Sequence, residues 1–293
     1  MSVEEGLVTV TGGKVWYRKV TAGNETATPL LILHGGPGNN HLALRTLDEL
    51  AAGRPVIYYD QLGSGYSERP TDPSLWKLER FVEELGQVRK ELGLDQVHIL
   101  GHSWGTTLLA AYLLAKPTGI KSAIFSSPCL SAPRWADDQT ELLKDMPEDI
   151  QEIIQRCESE GTTDSEEYEE ATKQYYRKHL CRLDPRPESM EQASKLGNKE
   201  IYNLMWGPSE FCVTGNLKDF DCTDRLHEIS EPSLFLCGRF DEATPASAEF
   251  FSSLVPGSMF HVFEESSHCG YVEQQQEYVE VVGKFLENVE AKQ

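Results

Sequence analysis

The chain has 293 residues, of which 39% are hydrophobic and 25% charged, a composition typical of a globular protein. Its 47 acidic and 27 basic residues give a net charge of −20, which disfavours nucleic acid and anionic membrane surfaces as partners. The N-terminal residues carry no basic start and no apolar segment, and no apolar run approaches ~18 residues. We therefore expect a cytoplasmic protein with either one large domain that carries an insertion or two domains.

Eight short runs of apolar and β-branched residues predict strands. In chain order they are 7–10, 15–20, 30–33, 56–59, 97–100, 123–125, 234–237 and 260–263. Helical patterns lie between several of them, at about 40–52, 76–92, 104–116, 245–254 and 272–289. Because several strand runs are almost continuously apolar, we expect strands that are buried on both faces of a mostly parallel sheet. The pattern predicts an α/β fold.

The alternation of strands and helices stops at about residue 129 and resumes near residue 228. Strand patterns largely disappear there, and charged helical segments such as 138–158 and 165–180 replace them. We therefore expect residues 1–128 and 229–293 to form an α/β core and residues 129–228 to form a helical cap domain. An insertion at this point would cover a site that is built from loops at the strand ends.

A candidate nucleophile lies in the segment G-H-S-W-G at 101–105, between the fifth predicted strand and the next helix. The pattern G-x-S-x-G is weak by itself, since a chain of this length matches it by chance roughly one time in ten. Its place at a strand-turn-helix corner is that of a nucleophile elbow. In such an elbow Ser103 would expose its hydroxyl, and the Trp104 amide would face the same space as an oxyanion donor.

The other parts of a serine hydrolase site also follow predicted strands. The segment H-G-G-P-G at 34–38 follows the third strand and makes Gly36 a candidate second oxyanion donor. Asp241 follows the seventh strand and His268 the eighth. The order Ser103, Asp241, His268 is the order of the α/β-hydrolase triad. We therefore expect an α/β-hydrolase fold with an eight-stranded, mostly parallel sheet and an inserted helical cap.

Metal and cofactor chemistry are not indicated. The seven cysteines are scattered and form no C-x-x-C pair, and the histidines show no ligand spacing such as H-x-x-x-H. The sequence therefore predicts no metal, no cofactor and no disulfide framework.

Three motifs together resemble the proline iminopeptidases, a family of α/β-hydrolase aminopeptidases that includes the tricorn-interacting aminopeptidase. They are H-G-G-P-G at 34–38, Y-D-Q-L-G-S-G-Y-S at 59–67 and G-H-S-W-G at 101–105. The resemblance extends over nearly the whole chain and includes M-W-G-P-S-E-F at 205–211. It implies a serine hydrolase that forms an acyl-enzyme and releases an N-terminal amino acid, proline or another small or hydrophobic residue. The implied substrate is a short peptide or amino-acid amide with a free amine.

The resemblance also implies the site residues: a triad of Ser103, Asp241 and His268, the oxyanion donors Gly36 and Trp104, and the substrate-binding residues Glu210, Glu242, Tyr202 and Gly35. Glu210 and Glu242 match the acidic residues that hold the substrate's ammonium group. A terminal amine has a pKa of about 7.7 to 8.0, so it is largely protonated at neutral pH and suits charge-assisted hydrogen bonds to carboxylates. A mid-chain amide would leave both carboxylates unpaired.

Departures from the family pattern leave an alternative open. Trp206 and Ser209 stand where members commonly have Asn, and Trp206 either remodels the pocket or packs within the cap. The alternative function is an amide or ester hydrolase that acts on a small metabolite in a biosynthetic pathway. A catalytically silent binding module is disfavoured by the complete triad. The sequence sets neither the preferred N-terminal residue nor the oligomeric state.

Overall fold

The computed structural model describes residues 1–23 and 26–292. Within these residues eight strands form one sheet: β1 (Ser2–Val10), β2 (Gly13–Thr21), β3 (Leu30–Leu33), β4 (Val56–Tyr59), β5 (Val97–His102), β6 (Ile120–Ser126), β7 (Ser233–Gly238) and β8 (Met259–Phe263). Their order across the sheet is β1-β2-β4-β3-β5-β6-β7-β8. Strand β2 is antiparallel to both neighbours, and β3 to β8 are parallel. The predicted eight-stranded, mostly parallel sheet is confirmed.

Helices cover both faces of this sheet. The α-helices are α1 (Leu78–Glu91), α2 (Trp104–Leu114), α3 (Ala132–Lys144), α4 (Glu148–Glu160), α5 (Glu166–His179), α6 (Glu188–Leu196), α7 (Lys199–Met205), α8 (Pro245–Leu254), α9 (Gly270–Glu273) and α10 (Gln275–Glu290). Three further segments are 3₁₀ helices, at Leu42–Ala52, Pro73–Leu75 and Thr223–Glu228.

The buried runs of the central strands fill two cores. In β3, Leu31 and Leu33 belong to the cluster that contains apolar residues of α1, α2 and α8. Leu30 and Ile32 belong to the cluster on the other face, with residues of α10 and of the 3₁₀ helix at 42–52. Successive side chains of a strand point to opposite faces, so a strand between two helical layers is apolar at every position.

The structure differs from the predicted elements in four places. Strand β1 begins at Ser2 instead of residue 7. The prediction missed its first half because this exposed edge, paired only with β2, has no apolar pattern. The helix predicted at 40–52 is a 3₁₀ helix. The segment predicted at 138–158 divides into α3 and α4 before Pro147, where proline interrupts a helix. The C-terminal helix divides at Gln274 into α9 and α10.

Helices α3 to α7 form an insertion between β6 and β7. Its two ends are joined, because the Cys222 amide donates to the Leu130 carbonyl at 3.1 Å. Helices α4 and α5 share a separate apolar cluster that includes Ile154 and Tyr175. Met205 of α7 belongs instead to the core that contains Leu31 and Leu33 of β3. We propose that residues 129–228, which lie within this insertion, act as the cap over the site.

Candidate active site

Ser103 occupies a strained turn between β5 and α2. Its φ of 55° and ψ of −124° are uncommon for a residue with a side chain. The amide and the hydroxyl of Thr106 both donate to the Ser103 carbonyl at 2.7 Å. A Cβ at Gly101 would lie 2.3 Å from the Gly105 carbonyl oxygen, and one at Gly105 would lie 2.4 Å from that of Leu33. Only glycine allows the corner to pack this closely.

The loop after β3 lies against this corner. A Cβ at Gly35 would be 3.1 Å from that of Ser103. Gly36 has a φ of 115°, and a Cβ there would lie 2.7 Å from the Asn39 amide nitrogen. Trp104 is the first residue of α2, so its amide has no intrahelical acceptor. The structure thus brings Gly35, Gly36 and Trp104 together around Ser103.

Gln61, in the D-Q-L-G motif, joins the two loops. Its side-chain amide donates to the His34 carbonyl at 3.2 Å and accepts from the Trp104 indole at 2.8 Å. Its backbone amide donates to His34 Nε2 at 3.0 Å. Burial lowers the pKa of His34, which favours the neutral ring that this acceptor role requires. Sequence analysis singled out the motif but did not find this bridging role.

Asp241 and His268 are paired at the ends of β7 and β8. His268 Nδ1 lies 2.8 Å from Asp241 Oδ1, and both residues are buried. Asp241 also accepts hydrogen bonds from the amides of Gly238 and Ala243, at 3.2 and 2.8 Å. These donors fix the carboxylate in one orientation. Such a carboxylate can hold an imidazole in the orientation that a general base needs.

Ser127 is a site residue that sequence analysis missed. Its hydroxyl donates to Asp241 Oδ2 at 2.7 Å and lies 3.0 Å from the His268 carbonyl oxygen. It follows β6 and has a positive φ of 51°. The available signal was its position just after a parallel strand, at the edge of the sheet where the other site residues lie.

A cavity of about 350 Å³ opens at this edge of the sheet. Its lining includes Gly35, Gly36, Ser103, His268, Glu210 and Glu242. Tyr202 also lines it, as do residues of α5 and α6. The insertion and the core therefore contribute to one cavity, which holds the hydroxyl, the imidazole and two carboxylates.

The two carboxylates of this cavity are enclosed to different degrees, since Glu242 is buried and Glu210 is partly buried. The Tyr202 hydroxyl donates to Glu210 Oε1 at 2.5 Å. Burial raises the pKa of Glu210, and the Tyr202 hydrogen bond and the charge of His268 oppose part of that rise. Burial, together with the charges of Glu210 and Asp241, raises the pKa of Glu242 well above its usual value. Glu242 is 1% exposed, and its Oε2 has no hydrogen-bond partner among the described residues.

Trp206 packs within the insertion and does not line the cavity. Its ring lies edge-on to that of Trp135, with centroids 5.8 Å apart. Trp135 in turn lies 6.2 Å from the His268 ring, and its indole donates to the Glu210 carbonyl at 3.1 Å. Of the two roles considered for Trp206, the structure favours packing. Through Trp135 it supports the residues that line the cavity.

None of the described His, Cys, Asp and Glu residues are grouped in threes or more in a way that could hold a metal ion. Within 1–23 and 26–292, no helix combines the length and the apolar character needed to cross a membrane.

Comparison with known proteins shows the family to which the chain belongs. Residues 28–275 match the family model for the alpha/beta hydrolase fold. A proline iminopeptidase from Heyndrickxia coagulans is 57% identical over 286 residues, which cover 97% of this chain and 99% of the relative. The chain belongs to the proline iminopeptidase family of α/β-hydrolases. Membership confirms the resemblance and the fold class predicted from the sequence.

Two solved structures of this family's fold agree over nearly the full length. VinJ superposes with a TM-score of 0.94 at 33% identity, covering 98% of this chain and 99% of VinJ. The proline iminopeptidase of Mycobacterium smegmatis superposes with a TM-score of 0.90 at 32% identity, covering 99% of each chain. The chain is thus similar to these proteins in its insertion as well as in its core. The roles of its individual site residues stay predictions.

Proposed function

We propose that this protein is a serine aminopeptidase that releases an N-terminal amino acid, foremost proline, from short peptides or amino-acid amides through an acyl-enzyme. The family supports the enzyme class. The observation that carries the substrate assignment is the pair of enclosed carboxylates, Glu210 and Glu242, in the cavity that Ser103 and His268 also line.

The triad performs the covalent steps. His268, oriented by Asp241, removes the proton from Ser103 Oγ as that oxygen attacks the carbonyl carbon of the first residue. The amides of Gly36 and Trp104 donate to the oxyanion that forms. The imidazolium then gives its proton to the leaving amine, and an ester to Ser103 remains. A water molecule, deprotonated by His268, attacks this ester, and the imidazolium returns the proton to Ser103 Oγ as the ester bond breaks and the free amino acid is released.

The carboxylates select the substrate's free amino terminus. Charging two neighbouring carboxyl groups, one buried and one partly buried, is unfavourable, as the raised pKa of each indicates. A protonated amine offsets this cost through charge-assisted hydrogen bonds, while an uncharged peptide N–H does not. A protonated prolyl amine carries two N–H groups, one for each of Glu210 and Glu242. This accounts for exopeptidase action and is compatible with proline at the first position.

The small-metabolite hydrolase remains the alternative. It would use the same Ser103 triad, but it needs the acidic pair only if its substrate also carries an amine. A panel of amino-acid naphthylamides, each compared with its N-acetyl copy, separates the two. We expect cleavage of the free prolyl compound and no cleavage of the blocked one. Equal cleavage of both, or activity only on esters that lack an amine, would favour the alternative.

A further inference from the structure

The cavity has a second wall that the proposed chemistry does not use. On one side lie Asn40 of the loop after β3 and Leu44 of the 3₁₀ helix that follows it, and on the other lie Met190 and Ala193 of α6. The Asn40 side chain donates to the Ala193 carbonyl at 2.8 Å. The loop that carries Gly36 and helix α6 are therefore held together, with part of the cavity between them.

Two cations line the same cavity as the acidic pair. Lys199 is the first residue of α7, and Tyr202, whose hydroxyl donates to Glu210, lies three residues later on the same helix. The Asn198 amide donates to the Gly38 carbonyl at 2.8 Å, so the start of α7 lies against the H-G-G-P-G loop. Arg186, two residues before α6, also lines the cavity.

These cations are available to a ligand. Lys199 has no ion-pair partner among the described residues, although the chain holds 47 acidic residues against 27 basic ones. Arg186 lies 3.4 Å from Glu191, and both side chains of this pair are exposed. Exposed ion pairs contribute little, so a bound anion can replace Glu191 as the partner of Arg186 at small cost.

We propose that the space between the loop and α6 holds the residue or residues that follow the scissile bond, and that Arg186 and Lys199 bind their terminal carboxylate. This inference rests on the proposed function and narrows its substrate class to dipeptides and tripeptides with both ends free. Three helical residues rise about 4.5 Å, and one extended residue spans about 3.3 to 3.6 Å. The Lys199 and Tyr202 side chains extend this separation. Lys199 can therefore bind the carboxylate end of such a peptide while Glu210, held by Tyr202, binds its ammonium end.

The test compares prolyl-alanine with its C-terminal amide in the wild-type protein and in the double variant Arg186→Gln/Lys199→Gln. If the substrate carboxylate forms an exposed ion pair with each of Arg186 and Lys199, kcat/KM for the free acid exceeds that for the amide by about 2- to 30-fold. In the double variant the ratio of kcat/KM for the free acid to kcat/KM for the amide falls to about 1. In the wild type, added salt lowers this ratio. Lys195→Gln, which changes an exposed lysine of α6 outside the cavity lining, keeps the preference.

Prolyl naphthylamide, which has no carboxylate, separates failure of this inference from failure of the proposed function. Cleavage of the naphthylamide without any preference for the free acid would overturn the carboxylate site and leave the aminopeptidase assignment standing. A preference that survives in the double variant would also overturn the site. Absence of naphthylamide cleavage by the wild-type protein would overturn both.

Discussion

Glu242 Oε1 lies 3.7 Å from Nε2 of His268. The carboxylate proposed to bind the substrate's ammonium group is therefore in electrostatic contact with the proposed base. The other charged groups that face this imidazole are Asp241, at 2.8 Å from Nδ1, and Glu210. His102, whose ring lies 4.7 Å away, is kept neutral because burial lowers its pKa well below the usual value. Ammonium binding and catalysis thus depend on one cluster of charges.

The first prediction concerns pH. Because the pKa values of Glu210 and Glu242 are raised, these groups take up protons above the ordinary glutamate range of about 4.3. Ammonium binding needs the charged carboxylates, so on acidification kcat/KM for prolyl naphthylamide falls more steeply than kcat/KM for an amine-free ester. Glu242→Gln removes one of the two titrating carboxyl groups and brings the two pH profiles closer together. Identical pH profiles for the two substrates in the wild type would contradict this.

The second prediction concerns stability. A carboxyl group whose folded pKa lies above its unfolded pKa binds more protons in the folded state between those values, so the free energy of unfolding decreases as pH rises through that window. A difference of one between the folded and unfolded pKa values changes the free energy of unfolding by about 1.4 kcal/mol. We expect Glu242→Gln to raise the melting temperature at pH 8 and to change it less at pH 5. A lower melting temperature of Glu242→Gln at pH 8 would show that the charge of Glu242 does not destabilise the folded protein.

The third prediction concerns Ser127, which acts by positioning Asp241. Ser127→Ala removes a hydrogen bond to a charged group, worth about 1.5 to 3 kcal/mol, so we expect kcat/KM to fall about 10- to 150-fold. The loss is the same for prolyl naphthylamide and for the ester, because the hydroxyl does not touch the ammonium site. Ser122→Ala, on β6 just before Ser127, removes a hydrogen bond to His98 and serves as the control. Equal activity of the two variants would refute the role.

The fourth prediction concerns the nucleophile. Ser103→Ala removes the atom that forms the acyl-enzyme, so we expect kcat to fall on the order of 10⁴- to 10⁶-fold while the circular dichroism spectrum and melting temperature persist. Chelators leave the wild-type rate unchanged. Retained activity in the variant, or loss with chelator and recovery with zinc, would refute the triad.

The sequence predicted those parts of the fold whose cause is local. Strand β3 lies between two cores, so all four of its residues are apolar and visible as a run. The exposed first half of β1 carries no such pattern, since its pairing with β2 uses backbone groups that any residue provides. The break between α3 and α4 was missed although Pro147 marks it.

For the site, the strand-end positions of Ser103, Asp241 and His268 were readable, because parallel strands place their ends at one edge. The hydrogen bonds from Ser127 to Asp241 and from Trp104 to Gln61 join residues 114 and 43 positions apart. No local pattern encodes such pairs. Serine and glutamine near strand ends are common, so only the folded chain reveals which of them contribute.

The central claim is that enclosed carboxylates make this hydrolase an aminopeptidase, and Glu210→Gln tests it most directly. The variant keeps the shape of the side chain and removes its charge. The measurement is the ratio of kcat/KM for prolyl naphthylamide to that for an acyl ester without an amine, in the wild type, in Glu210→Gln and in Glu200→Gln, an exposed control on α7. We expect this ratio to fall about 10- to 150-fold in Glu210→Gln, because a hydrogen bond to a charged group contributes about 1.5 to 3 kcal/mol. In Glu200→Gln the ratio stays at the wild-type value. An unchanged ratio in Glu210→Gln, whether both rates fall together or neither changes, would contradict the account.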